Sequence, residues 1–161
     1  MPESSRLFVF TSDVFLSESY AGSLLSKLNA FLSSWAAHGT PLLANSTLIS
    51  NRVLMISLDE SVASASGCSI DSLTNFIKAE GASSGIDFFN RSWVLYRSPM
   101  KDQTNFTDNW TAELLNEFWA RRKAGLISDD TQVLNSTVTT LSDARENLVQ
   151  VFSDSWHASM W

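Results

Sequence analysis

Chemistry-bearing side chains are sparse in this chain, and its one thiol marks where they gather. Cys68 stands in "DESVASASGCSIDS", Asp59 to Ser72, a run of small residues between an acidic pair and a helical pattern. If Ser69 caps the helix that follows, the N–H groups of its first turn carry partial positive charge and favour thiolate over thiol. His38 would strengthen that shift or accept the proton, with Asp59 as a third group, and Cys68 would then be a nucleophile toward an acyl or phosphoryl group. The same loop supports a reading without covalent chemistry. Small residues before a helix start let an anion approach the first N–H groups, and Ser66, Gly67, Ser69, Glu60 and Arg97 would line that pocket. Asp59 and Glu60 adjoin in sequence, so on a continuing strand they point to opposite faces and cannot both serve one site.

Other chemistries are excluded by what is missing from the sequence. One Cys and two His, His38 and His157, fall short of any structural zinc spacing, and neither GxxxxGK[ST] nor GxGxxG occurs, so no metal and no cofactor is implied. The net charge of −6 repels phosphate backbones, and the longest basic run is Arg121–Lys123, so nucleic acid is not an expected partner. Met1 to Phe15 has one positive side chain, an apolar run of four residues and an early Asp13, which fits neither a secretory signal nor a membrane anchor. The expected setting is the cytoplasm, and the expected partner a small anionic ligand or another protein.

The elements that must position these residues are read from periodicity. "RLFVF" (Arg6 to Phe10) is a continuous apolar run suited to a strand with neighbours on both sides. Ser17 or Ser19 caps a helix carrying Leu24, Leu25, Leu28, Phe31, Leu32 and Trp35 inward and stopping at His38-Gly39. "LLANSTLIS" (Leu42 to Ser50) reads as an edge strand and "VLMISL" (Val53 to Leu58) as a buried one, joined in a hairpin around Asn51-Arg52. A second helix with Ile70, Leu73, Phe76 and Ile77 inward stops near Gly81, and "SWVLY" (Ser92 to Tyr96) gives a fourth strand.

Strand, helix, strand, strand, helix, strand is the order of an α+β, ferredoxin-like split βαββαβ sheet, with the first and third strands central. Its core would span residues 1–98. Helices cover one face of such a sheet, so residues 99–161 are expected as an integral C-terminal extension over the other, all within one domain. In that extension Trp110, Leu114, Leu115, Phe118 and Trp119 read as one amphipathic helix ending at Gly125, followed by a strand in "TQVLNSTVTT", a short helix from Ser142 and a tail in which Trp156 and Trp161, beside His157, anchor the terminus onto the core. The split topology brings His38, Asp59, Glu60, the Gly67-Cys68-Ser69 helix start and Arg97 to a single sheet edge.

Trp35 to Gly39, "DESVASASGCSIDS", Phe88 to Arg91, "VLNSTVTT" and the terminal "SWH" together resemble a family of short, uncharacterised bacterial proteins often labelled "ABC transporter ATPase". The likeness spans nearly the whole chain, but the family brings no established activity or catalytic residues. "SASGCS" has a passing similarity to the serine-glycine signature of transporter ATPases; without the P-loop lysine it implies no hydrolysis. Two readings follow: a non-catalytic binding or adaptor domain with an anion- or ligand-binding edge at Gly67-Cys68-Ser69, and a cysteine-dependent enzyme with Cys68 as nucleophile.

Overall fold

The computed structural model describes residues 1–99 and 110–160. In chain order its elements are β1 (Arg6–Thr11), α1 (Glu18–Ser33), β2 (Ala36–Ala37), β3 (Thr40–Pro41), β4 (Leu43–Ile49), β5 (Val53–Asp59), α2 (Gly67–Ala82) and β6 (Trp93–Arg97). There follow β7 (Thr111–Leu114), α3 (Leu115–Lys123), β8 (Gln132–Leu134), α4 (Leu141–Asn147), β9 (Val149–Val151), a 3-10 turn at Phe152–Asp154 and α5 (Trp156–Ser159).

Because side chains alternate along a strand, β5 is apolar on both faces: Leu54, Ile56 and Leu58 point one way, Val53 and Met55 the other. Such a strand must lie mid-sheet with both faces covered. It does, in the order β1-β5-β4, antiparallel throughout, with Phe8 opposite Ile56 and Thr47 opposite Met55. On one face Leu24, Leu28 and Leu32 of α1 and Leu73 and Ile77 of α2 close over Phe10, Leu54, Ile56 and Leu58. The other face, Leu7, Ile49, Val53 and Met55, packs against Leu95, Trp110, Leu134, Val138, Ala144 and Leu148. A second antiparallel sheet, ordered β7-β6-β8-β9, supplies part of that cover. Its far side carries Val94 and Val133 against Phe118 of α3, Ile127 and Phe152. The layers are helix pair, sheet, sheet, helix.

The α+β class and the strand order of the first three strands agree with the sequence reading. The fourth strand departs from it. In a split unit Trp93–Arg97 would be an edge strand beside β1; here it is internal to the second sheet, paired to β7 on one side and β8 on the other. The reason is in its side chains: Val94 and Leu95 are buried in different cores, so β6 is two-faced like β5 and needs two neighbours. The edge of β1 is closed by Thr139–Leu141 instead, with Leu7 N–H to Thr139 C=O at 2.8 Å and Leu141 N–H to Ser5 C=O at 3.0 Å.

Three boundaries also move. α1 is capped by Ser17, whose Oγ accepts the Tyr20 N–H at 3.2 Å, but it ends at Ser33 rather than at His38. α3 begins at Leu115 because Thr111–Leu114 is drawn into the ladder with β6. The turn between β4 and β5 falls at Ser50-Asn51, both with positive φ, and Arg52 follows it as an extra residue before Val53 pairs with Ile49.

A chain truncated after Ser98 would lose every partner of the Leu7, Ile49, Val53, Met55 face except those on β6. It is expected to precipitate or to bind a hydrophobic dye strongly. A soluble fragment that unfolds cooperatively with unchanged dye signal would show that this face does not depend on the C-terminal third.

Candidate functional site

Ser66, not Ser69, is the N-cap of α2. Its Oγ accepts the Ser69 N–H at 3.1 Å while its own N–H donates to Ser69 Oγ at 2.7 Å, a reciprocal capping box that starts the helix earlier than the sequence suggests. Cys68 is therefore the second residue of the helix rather than a residue before it, and it is exposed. Of the first-turn donors, Ser69 N–H is occupied by that box and Ile70 N–H by Ser66 C=O at 3.0 Å, while Ser69 itself is buried. Gly67 and Cys68 are left to face solvent.

The acidic pair serves this loop's conformation. Asp59 Oδ1 accepts the Ser61 N–H at 2.9 Å, and that bond holds its carboxyl below the usual range. Glu60 accepts the Ala65 N–H at 3.1 Å and lies 3.7 Å from the Arg6 guanidinium. His38 and Gly39 form the two-residue turn of the β2–β3 hairpin, with φ of +50° and +81°, a primed turn rather than a helix cap. The hairpin sits near α2, since the buried Trp35 Nε1–H donates to Ser69 C=O at 2.8 Å. Among the described residues, however, no hydrogen bond or ion pair joins the exposed His38 to Cys68 or to Asp59.

Arg97 does not belong to this edge. It is 2 % exposed at the end of β6, donates from Nε to Gln132 Oε1 at 2.7 Å, and stacks over Trp110 with its guanidinium carbon 4.4 Å from the ring centroid. It left the edge when β6 joined the second sheet. The guanidinium that reaches the acidic pair is that of Arg6.

A different feature has the form of a binding site. Between the first sheet and α4 lies a cleft of about 210 Å³. Leu7, Ile49 and Met55 form its sheet wall, Leu141, Ala144 and Leu148 its α4 side. Thr47 and Ser57 are its neutral polar residues and Arg145 the one charged residue of its lining. The sequence reading missed it because Leu7 and Leu148 are more than a hundred residues apart. The pairing of Arg6 with Thr140 and the backbone bonds beside it bring α4 against β1.

Two further buried groups escaped a role in the sequence reading. Arg52, a bulge residue at the hairpin, is 3 % exposed and sandwiched between Phe15 and Trp93, 4.6 Å from each ring centroid, with one N–H to Asp13 C=O at 2.9 Å. His157, in the tail, is a buried imidazole: 2 % exposed, stacked on Trp156 at 3.8 Å and beside Phe118, with Nδ1 lacking a protein partner among the described residues; Trp161, the other expected anchor, lies outside the described residues. Burial lowers its pKa from 6.5 to about 4.

No family model matches the chain, and neither does any curated protein or solved structure. Among the described residues no three His, Cys, Asp or Glu are grouped to hold a metal ion, and no helix is long and apolar enough to cross a membrane. Geometry alone therefore carries the functional reading.

The imidazole gives a pH dependence whose sign is fixed. Its folded pKa lies below its unfolded one, so the unfolded chain takes up the proton first. The stability present above pH ~6.5 is lost as pH falls and levels off below about 4, by up to about 3 kcal/mol from this group. Urea titrations of the protein and of His157→Leu between pH 7 and 4 should diverge by this slope. Parallel curves would place the imidazole in contact with solvent.

Proposed function

We propose that the protein is a non-catalytic binding domain that takes a small, largely apolar ligand in the cleft between the first sheet and α4. The observation carrying this reading is the cleft itself. Protein interiors are packed with few voids larger than a water molecule, and an engineered cavity of about 150 Å³ suffices for benzene. A space of about 210 Å³ walled by Leu7, Met55 and Leu148, with Thr47, Ser57 and Arg145 in its lining, exceeds that benzene-sized volume and combines apolar walls with a few polar groups, as small-molecule sites do.

The helix start of α2 supports less. Its capping box uses the serines that were expected to bind an anion, and a hydroxyl already donating to Ser66 C=O, as Ser69 Oγ does at 2.8 Å, is not free for a ligand. Nor does the geometry favour nucleophilic catalysis: Cys68 has a solvent position but no base in hydrogen-bond reach and no oriented third group. In this reading the chain hydrolyses neither ATP nor an acyl ester.

A ligand-observed NMR screen of small apolar fragments should return binders that lose affinity in Ala144→Phe, which fills the cleft, and keep it in Cys68→Ser. Binders unaffected by Ala144→Phe, or a turnover abolished by Cys68→Ser, would replace this reading with the cysteine-dependent one. In the same protein iodoacetamide should label Cys68 without denaturant, since the residue is exposed, and at a rate unchanged by His38→Ala. A rate that falls several-fold in that variant would put the imidazole beside the thiol.

A further inference from the structure

We infer that the ligand of this cleft is a monocarboxylate with a compact apolar body, held at its charged end by Arg145 in exchange for Glu3. The inference rests on the cleft being the binding site and adds the chemical class of its occupant.

The lining sets the class. Leu7, Met55 and Leu148 offer only apolar contact, so most of the occupant is hydrocarbon, and the volume of about 210 Å³ admits a single ring or short branched chain with one polar group. Ser57 interrupts the apolar face of β5 at this point. It is 9 % exposed, and its hydroxyl makes only a 3.5 Å contact with Asn45 C=O, longer than an ordinary O–H···O bond, so it has hydrogen-bonding capacity to spare. The charge of the occupant follows from Arg145. Its side chain is 72 % exposed, and its Nη2 is 2.8 Å from Glu3 Oε1, whose side chain is 53 % exposed. A pair so open to solvent contributes little and exchanges readily. A carboxylate arriving from the cleft would present the same two oxygens to the guanidinium and compete with Glu3 for it.

The rest of the molecule argues for a single negative charge. The chain carries a net charge of −6 and the cleft lining holds one cation, so a phosphate or dicarboxylate would meet repulsion with nothing further to neutralise it. Competition with Glu3 also predicts a sign that a merely structural Arg145 would not produce: removing the Glu3 charge should tighten binding, and removing Arg145 should weaken it.

The probes are phenylacetate and its neutral isostere phenylacetamide, titrated at pH 7 into the full chain carrying ¹³C-methyl methionine. The sequence has four methionines, and the Met55 signal, from the cleft wall, is assigned with Met55→Leu. Phenylacetate is expected to shift the Met55 methyl saturably and to bind at least about fivefold more tightly than the amide. Arg145→Gln should erase that difference, and Glu3→Gln should strengthen phenylacetate by about two- to fivefold. Equal binding of acid and amide, or phenylacetate binding indifferent to Arg145→Gln, with the Met55 shift intact, would overturn the carboxylate class and leave the cleft as the site. Absence of any Met55 shift with either probe, or shifts that persist in Ala144→Phe, would overturn the cleft itself.

Discussion

The structure depends on one strand that cannot tolerate water on either face. Val53, Leu54, Ile56 and Leu58 of β5 are at 0 % exposure, the last three in the core under α1 and α2 and Val53 in the core on the opposite face. Burial of each such side chain is worth roughly 1.5–3 kcal/mol relative to leaving it in water, so neither face can be left open. One cover comes from α1 and α2, elements that flank β5 in sequence and assemble from local periodicity. The other must come from beyond β6, and that requirement commits the C-terminal third to the same body.

The second cover is built by repeating the first solution. β6 has apolar residues on both faces, becomes internal to its own sheet, and acquires α3 as an outer layer through Phe118. It cannot also serve as an edge of the first sheet. Where the second sheet ends, α4 continues the cover with a helix of only seven residues. Small or polar residues meet there from both sides, Ala144 on the helix and Thr47 and Ser57 on the strands. The cleft is the place where cover and covered face are too small to touch.

Local pattern revealed much of this and topology the rest. The strands β1, β5 and β6 and the helices α1 and α2 are legible from their apolar periods and β4 from its mixed edge pattern before the hairpin, and the antiparallel order of β1, β5 and β4 follows from chain order. The fourth strand goes to the wrong sheet because "WVLYR" carries no mark of which sheet it joins and the pattern of six elements argues for a familiar edge; its two-sidedness shows only in the separate cores that take Val94 and Leu95. With β6 went Arg97, and with it the five-group cluster around Cys68. His38-Gly39 was read as a helix stop because Gly after a helical period usually is one, whereas Ser34 already closes α1 and the pair turns a hairpin. The loop from Asp59 to Ser69 kept its place, yet its polar groups satisfy one another, which no spacing of serines discloses.

The segment that protects the fold is also the one that makes the cleft. An exposed edge of β1 would offer unpaired N–H and C=O groups to other chains, and Thr139–Leu141 closes it with backbone bonds to Ser5 and Leu7. Because Thr140 is also the N-cap of α4, with Oγ1 accepting the Asp143 N–H at 3.1 Å, those bonds fix the start and direction of the helix. The Ser142 N–H to Glu3 C=O bond at 2.9 Å and the Glu3–Arg145 pair tie the N-terminal residues to the same helix. Edge protection, helix capping and the mouth of the cleft are thus one set of interactions. A change in the Glu3–Arg145 pair acts at the end of that set most exposed to solvent, where it alters the charge offered to a ligand at least cost to the sheet beneath.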